Sequence, residues 1–413
     1  MNLHTAPAPA SSKPGIVLNG QRQDGGRHTN SPDTIISDAL HSVRTLLDMD
    51  VAFVSEFTGG HRIFRYVDSC EEFTSIRANA SDPLEETYCQ RVLDGRMPEL
   101  IPDTAKHPEA MNLPITHHLR IGNYLAVPIR FSDGAVYGTF CCFSMQANDA
   151  LNNHHLETLR LFANFVGKVM ERNALAHSRN ETRTRLDKVL EESDFDVHYQ
   201  PIIHVAENRL VGHEALARFP SDPVRPPDRW FSEAAEVGYQ EALELAVIRK
   251  ALRVLPTLPQ DTYVSVNVSP ETVLKGSLPA VLDGYPLERV VLEMTEHALV
   301  DDYCSIARQL ASLRKKGLRL AVDDAGAGFA SFRHILKLKP DIIKLDSSLI
   351  QRIDIDVNSR ALAAALIRFA EETGSKIVAE GVETESELRV LRELKVNKVQ
   401  GFLLGRPRPI YAH

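Results

Sequence analysis

Several chemistries are missing from this sequence. Its five cysteines, Cys70, Cys89, Cys141, Cys142 and Cys304, form no C-x-x-C pair. A disulfide framework is therefore not expected, and they read as mostly buried thiols of a cytoplasmic protein. Positive charge is in deficit too: 47 Lys and Arg against 55 Asp and Glu leave a formal net charge of -8. No basic stripe stands out, which argues against a nucleic-acid polymer as partner. Long apolar runs are also absent, since the longest are strand-length and broken by charge, so neither a signal segment nor a membrane span is expected. What remains has the composition of a soluble globular chain, 43% hydrophobic and 25% charged, and at 413 residues it is too long for a single ordinary core.

Residues 1–30 are rich in Ala, Pro, Ser, Gly and Asn without a period, which predicts a disordered tail. Order is expected from Ser31-Pro32, ahead of an amphipathic stretch over Ile35 to Leu47. Two strands, over 51–57 and 62–67, flank Gly59-Gly60. After a proline-rich middle, 124–131 and 136–143 read as a hairpin around Ser132-Asp133-Gly134, with Cys141 and Cys142 on opposite faces. A helix over 154–170 closes this α+β domain, assigned to 31–172. The charged stretch 173–195 reads as a helical linker whose thin apolar seam, Val169, Leu175, Leu186 and Leu190, could pair with the same helix of a second subunit or with nothing.

From 196 to 413 strands alternate with amphipathic helices. Strands are expected over 197–203, 210–216, 263–268, 290–294, 318–322, 342–345, 376–379 and 399–403, and a single long helix over 233–255. Eight strands in this arrangement predict a parallel α/β barrel. Polar residues stand inside or just after one apolar strand after another: Glu214, Asn267, Glu293, Asp323-Asp324, Lys344, Glu380 and Gln400. Buried singly, such groups would be costly. In a parallel barrel they converge at the C-terminal mouth, where chemistry is done. Oxygen ligands without a Cys or His cluster favour Mg²⁺ or Mn²⁺. One carboxylate of Asp323-Asp324 can face the centre and touch two ions while its neighbour reaches the second. Two metals suit phosphoester hydrolysis, with Lys344 orienting the water, and metal ions let an acidic protein accept a phosphate ester. A metal-assisted lyase or aldolase, or acids merely paired with basic residues, stay open on spacing alone.

These residues also carry a resemblance. Glu214-Ala215-Leu216 lies in Gly212-His213-Glu214-Ala215-Leu216-Ala217-Arg218, preceded by Tyr199-Gln200-Pro201-Ile202. There follow Val266-Asn267-Val268-Ser269, Leu292-Glu293-Met294-Thr295-Glu296, Val322-Asp323-Asp324, Ile343-Lys344-Leu345-Asp346, Ala379-Glu380-Gly381-Val382-Glu383 and Gln400-Gly401-Phe402. The ordered set resembles the EAL family of cyclic di-GMP phosphodiesterases. The resemblance implies a modified TIM barrel with one antiparallel strand, two Mg²⁺ or Mn²⁺ ions per active site, and hydrolysis of cyclic di-GMP to linear pGpG. It further implies that Glu214, Asn267, Glu293 and Asp323 hold one metal and Asp323, Asp324 and Glu380 the other. Lys344 and Gln400 would position the water, Glu383 would support the mouth, and Arg218 would contact a substrate phosphate. Asp346 would support the site, or else cap the helix after its strand.

Two departures stand out. Where the family reads Asp-Asp-Phe-Gly-Thr-Gly-Tyr-Ser, this chain has Asp323-Asp324-Ala325-Gly326-Ala327-Gly328-Phe329-Ala330, which puts dimer-dependent activation in doubt. Asn397 stands where the family commonly has Asp. Residues 31–172 resemble the GAF family of small-molecule sensors through their element order and the segment Gly122-Asn123-Tyr124-Leu125-Ala126-Val127-Pro128-Ile129. The resemblances thus imply an unknown small-molecule ligand for this domain and a homodimer through the EAL and linker helices. His117-His118 and Cys89 suggest haem or bilin attachment less than surface and packing roles. No Gly-Gly-Asp-Glu-Phe cyclase signature occurs. The rival to a regulated phosphodiesterase is a catalytically silent EAL domain acting as a cyclic di-GMP receptor or protein-interaction module.

Overall fold

The computed structural model describes residues 31–70, 76–220, 224–294, 302–325 and 329–410, and of 329–332 the backbone alone. The tail 1–30, Glu296 and the variant Gly326–Gly328 segment lie outside the described residues. The chain divides into two compact units, Met1–Leu175 and Ala176–His413.

The first helix, Pro32–Leu46, starts where Ser31 Oγ accepts a hydrogen bond from the Thr34 amide at 3.2 Å and proline occupies the first turn. Six antiparallel strands follow: β1 (Val51–Thr58), β2 (His61–Ser69), β3 (Ser81–Pro83), β4 (Leu100–Ile101), β5 (Asn123–Arg130) and β6 (Val136–Ser144). They form one sheet in the order β3-β2-β1-β6-β5-β4. Strand alternation divides its side chains. Ala52, Val54, Val127, Phe140 and Cys142 join a core with the Pro32–Leu46 helix and the closing helix. Phe53, Tyr124, Ala126, Cys141 and Phe143 face Tyr88, Cys89 and Leu113 on the other side.

The closing helix and the linker form one continuous helix, Asn153–Glu192. The expected seam is used within the chain. Val169 packs into the first core, whereas Leu186, Val189 and Leu190 pack with Phe195, Phe219 and Trp230 of the second unit. Leu175 alone of the seam is exposed.

The second unit is a closed eight-stranded barrel of β7 (Asp196–His204), β8 (Arg209–Arg218), β9 (Tyr263–Asn267), β10 (Val290–Met294), β11 (Arg319–Ala325), β12 (Ile342–Leu345), β13 (Lys376–Ala379) and β14 (Lys398–Val399). β7 runs antiparallel to both neighbours, β8 and β14, and all other pairs are parallel. Two expectations need correction. The helix placed over 233–255 is two, Pro227–Val237 and Gln240–Leu252, because Gly238 ends the first in the left-handed conformation with φ 83°. The last strand spans only Lys398–Val399: beyond it Gly401 passes so close to the 382 backbone that a Cβ would lie 2.1 Å from Val382 O.

The barrel interior is layered. Ile202, Val211, Tyr263, Val291, Ala321, Ile342 and Val378 form an apolar belt. Two residues farther along several strands come Glu293, Asp323, Lys344 and Glu380. Within the belt, the Tyr263 ring meets the Arg319 guanidinium and the Lys398 ammonium, each 4.5 Å from its centroid. Gly212 leaves room for that ring, since a Cβ there would approach Tyr263 to 2.5 Å. Gly212→Ala should lower the melting temperature of the barrel, in line with about 1–3 kcal/mol for an overpacked core. Differential scanning calorimetry checks this, and an unchanged transition would show that the ring relaxes freely.

Candidate active site and metal centre

A charge too buried to be solvated must find its partners inside the protein, and Lys344 is 1% exposed. Its Nζ lies 2.8 Å from Glu380 Oε1, 2.9 Å from Glu293 Oε2, 3.1 Å from Asp323 Oδ1 and 3.6 Å from Glu214 Oε1. Four acids from β8, β10, β11 and the end of β13 thus surround one ammonium from β12. Despite its burial, the four carboxylates raise the Lys344 ammonium well above the usual range. The acids outnumber their cation. Burial pushes the Glu293 carboxyl up to about 8, against the pull of Lys344 and with a push from Glu214 and Asp323. Glu380 is likewise shifted upward, first by burial. The cluster holds more negative charge than Lys344 can balance.

The same acids form two groups that could each hold a cation. Oxygens of Glu214, Glu293 and Asp323 lie within 4.8 Å of one another, as do those of Asp323, Asp324 and Glu380. Asp323 belongs to both. Simple alternation would send Asp324 to the opposite face of β11. Instead its φ is 54°, in the left-handed region, and the β11–β12 register shifts between Val322 and Ala325. This costly local backbone turns a second consecutive carboxylate toward the first. Asp323 Oδ1 also accepts from the Asp324 amide at 3.1 Å. An all-oxygen donor set with excess negative charge and one shared member fits a pair of hard divalent cations.

Gln400 Nε2 donates to Glu214 Oε2 at 2.5 Å and to Gln200 Oε1 at 3.0 Å. Its own Oε1 is buried without a hydrogen-bond partner among the described residues. Gln200 in turn donates to Gly405 O at 3.2 Å. Sequence reasoning missed Gln200 as part of the site. Its signal was there: it lies directly across the β7–β8 ladder from Glu214.

The other expected residues are placed differently. Asn267 is exposed at the end of β9, in register with Glu293 on β10. Beside it, a cavity of about 670 Å³ is lined by Leu216, Arg218, Phe231, Gln240, Asn267 and Glu271 among others. Arg218 is half-buried there and donates to Ala217 O at 2.8 Å. Asp346 caps the short helix Ser347–Ile350, accepting from the Ser348 amide at 3.0 Å, so the capping role foreseen for it is the observed one. Glu383 is exposed in the loop after β13, and its amide donates to Glu387 Oε2 at 2.9 Å. Asn397 Oδ1 accepts from the Ile377 amide at 3.0 Å, a bond that an amide oxygen accepts as well as a carboxylate does.

With this geometry in view, comparison with known proteins is decisive at the family level. A family model described as "EAL domain" matches residues 183–407. The chain belongs to the EAL family. A model described as "GAF domain" matches residues 31–170 of the same chain. The EAL part is 33% identical over 240 residues to "Cyclic di-GMP phosphodiesterase NbdA" of Pseudomonas aeruginosa, covering 55% of this chain and 30% of that protein. It is 30% identical over 231 residues to "Probable cyclic di-GMP phosphodiesterase PdeD" of Escherichia coli, covering 54% of this chain and 43% of that one. The chain thus spans less than half the length of these curated relatives. A solved structure described as "PaMucR Phosphodiesterase, c-di-GMP complex" is 29% identical, with a TM-score of 0.50 over 55% of this chain and 98% of its own. Among the described residues, no helix of this EAL protein is long and apolar enough to cross a membrane.

Adding Mg²⁺ or Mn²⁺ to metal-free protein should raise its melting temperature, by as much as about 2.7 kcal/mol of stability at a hundred times the dissociation constant. Asp323→Asn removes the acid common to both groups and should abolish most of that shift. A full shift in this variant would mean that the cations bind elsewhere.

Proposed function

We propose that this EAL protein hydrolyses cyclic di-GMP to linear pGpG with two Mg²⁺ or Mn²⁺ ions. The observation that carries the proposal is the pair of acid groups sharing Asp323 at the barrel mouth. Glu214, Asn267, Glu293 and Asp323 would hold one ion, and Asp323, Asp324 and Glu380 the other. When bound, such a pair supplies a nucleophilic water at neutral pH and relief of negative charge on the phosphoryl oxygens. Phosphodiesterase relatives and a cyclic di-GMP complex among the similar proteins support the choice of substrate.

The chain's own residues have separable tasks. Lys344, in reach of four ligand carboxylates, holds its ammonium where an attacking water and the phosphoryl oxygens meet. Gln400 fixes Glu214 through its amide and keeps its free Oε1 for the proton of that water. Arg218, on the wall of the adjoining cavity, offers a guanidinium fork to a substrate phosphate. Asp346 supports the mouth by fixing the turn after β12, and Glu383 stands at its exposed rim. The cavity has the volume of an ordinary small-molecule site.

Incubation with cyclic di-GMP and Mg²⁺ or Mn²⁺ should yield pGpG, resolved by liquid chromatography and mass spectrometry. Glu214→Ala and Lys344→Ala should each lower kcat by about 10²–10⁴-fold, the range for loss of a group acting on proton transfer. Arg218→Ala should mainly raise KM. Tight binding without linear product in the wild type would replace the enzyme with a receptor.

We further propose that the GAF domain, about residues 31–172, senses a small molecule and sets the activity of the barrel, about 196–413, in a homodimer. A chain lacking 1–172 should differ from the full chain in turnover or self-association. Identical behaviour in both assays would remove the regulatory reading.

A further inference from the structure

The first unit holds a second reactive cluster, unconnected with the acids. Cys89, on the helix Tyr88–Leu93, and Cys141, on β6, are both 0% exposed, and their sulfurs are 3.8 Å apart. Arg62, from β2, is 4% exposed and brings Nη1 to 3.7 Å from Cys89 Sγ. The guanidinium lies over the Phe64 ring at 4.2 Å, pairs with Asp82 through Nη2, and leaves Nε without a hydrogen-bond partner among the described residues. The Tyr124 hydroxyl donates to Cys141 Sγ at 3.1 Å and stands 3.5 Å from Cys89 Sγ. A cavity of about 10 Å³, lined by Arg62, Tyr88 and Tyr124 among others, adjoins the cluster. That is the space of roughly one small polar molecule.

We propose that Cys89 and Cys141 form a peroxide-oxidisable dithiol site inside the first unit, with Arg62 activating Cys89. Burial alone would raise the Cys89 thiol, but a hydrogen bond with Cys141 and the Arg62 charge hold it well below the usual range. Cys142 is the internal control. One residue along, it faces the opposite core, where burial pushes its thiol up.

The chemistry balances. The Cys89 thiolate attacks one oxygen of hydrogen peroxide. The S–O bond forms, the O–O bond breaks, and the departing hydroxide takes a solvent proton to become water. Cys141 sulfur then attacks the Cys89 sulfenic sulfur. The S–S bond forms, and the hydroxyl leaves as water with the Cys141 proton. The two sulfurs together lose two electrons, and the peroxide gains them. Closing 3.8 Å to a bond of ~2.05 Å asks for about 0.9 Å from each sulfur. Complete burial excludes a bulky disulfide, whereas the adjoining cavity of about 10 Å³ has the size for a small neutral oxidant.

The test treats the full chain with hydrogen peroxide or with oxidised glutathione, blocks remaining thiols, and maps peptides without reduction. A Cys89–Cys141 link is expected with peroxide, reversible by dithiothreitol, and not with oxidised glutathione. Cys142→Ser should leave the link intact. Cys141→Ser should stop at a sulfenic acid on Cys89, read as one added oxygen in the intact mass and trapped by dimedone once the protein is unfolded. Oxidation confined to Cys70 and Cys304, or a link made equally fast by oxidised glutathione, would overturn the proposal.

Discussion

One buried ammonium organises the barrel of this protein. Lys344 reaches four carboxylates from four other positions around the barrel, and a barrel is the architecture that lets them meet. Each strand delivers one inward side chain at the same height, and closure brings all of them to a common centre. The apolar belt below excludes water from one side, so charge at the top must be balanced locally. Lys344 balances part of it, and the surplus is what makes the cluster suited to cations. Gln400 and Gln200 then fix Glu214 from the side on which the antiparallel strand closes the barrel.

Much of this was legible in the sequence, because a period of two is a strong geometric rule. A charged residue two beyond an inward Val, Ala or Ile must itself point inward, so Glu293, Asp323, Lys344 and Glu380 could be grouped without coordinates. The rule fails where the backbone departs from it. Asp324 joins its neighbour only through a positive φ and a register shift, neither of which leaves a mark in residue type. Gly238 is the converse case: a single glycine divides a helix that the apolar pattern makes continuous. Asn267 and Glu383 carry the motif but stand exposed, because a motif fixes position along the chain and not the depth of a side chain.

The first unit follows another logic. Its sheet is covered on both faces, so the adjacent cysteines of β6 enter different environments. Cys142 lies among aliphatic side chains, while Cys141 meets Cys89, 52 positions away along the chain, together with a guanidinium. Sequence spacing hides such a meeting, since a helix and a strand supply one sulfur each. The linker seam was misleading in a similar way. Leu186 and Leu190 looked available for a second copy, yet they pack with Phe219 and Trp230 of their own chain.

The crowding of acids around Lys344 bears on how such a barrel can change over generations. Loss of any one carboxylate leaves the ammonium three partners and reduces the mutual repulsion of the rest. The fold therefore tolerates erosion of these acids one at a time, while a pair of cation sites that share Asp323 would not. Foldability and cation holding are thus separable at this centre, and a descendant could lose its cations and keep the barrel intact.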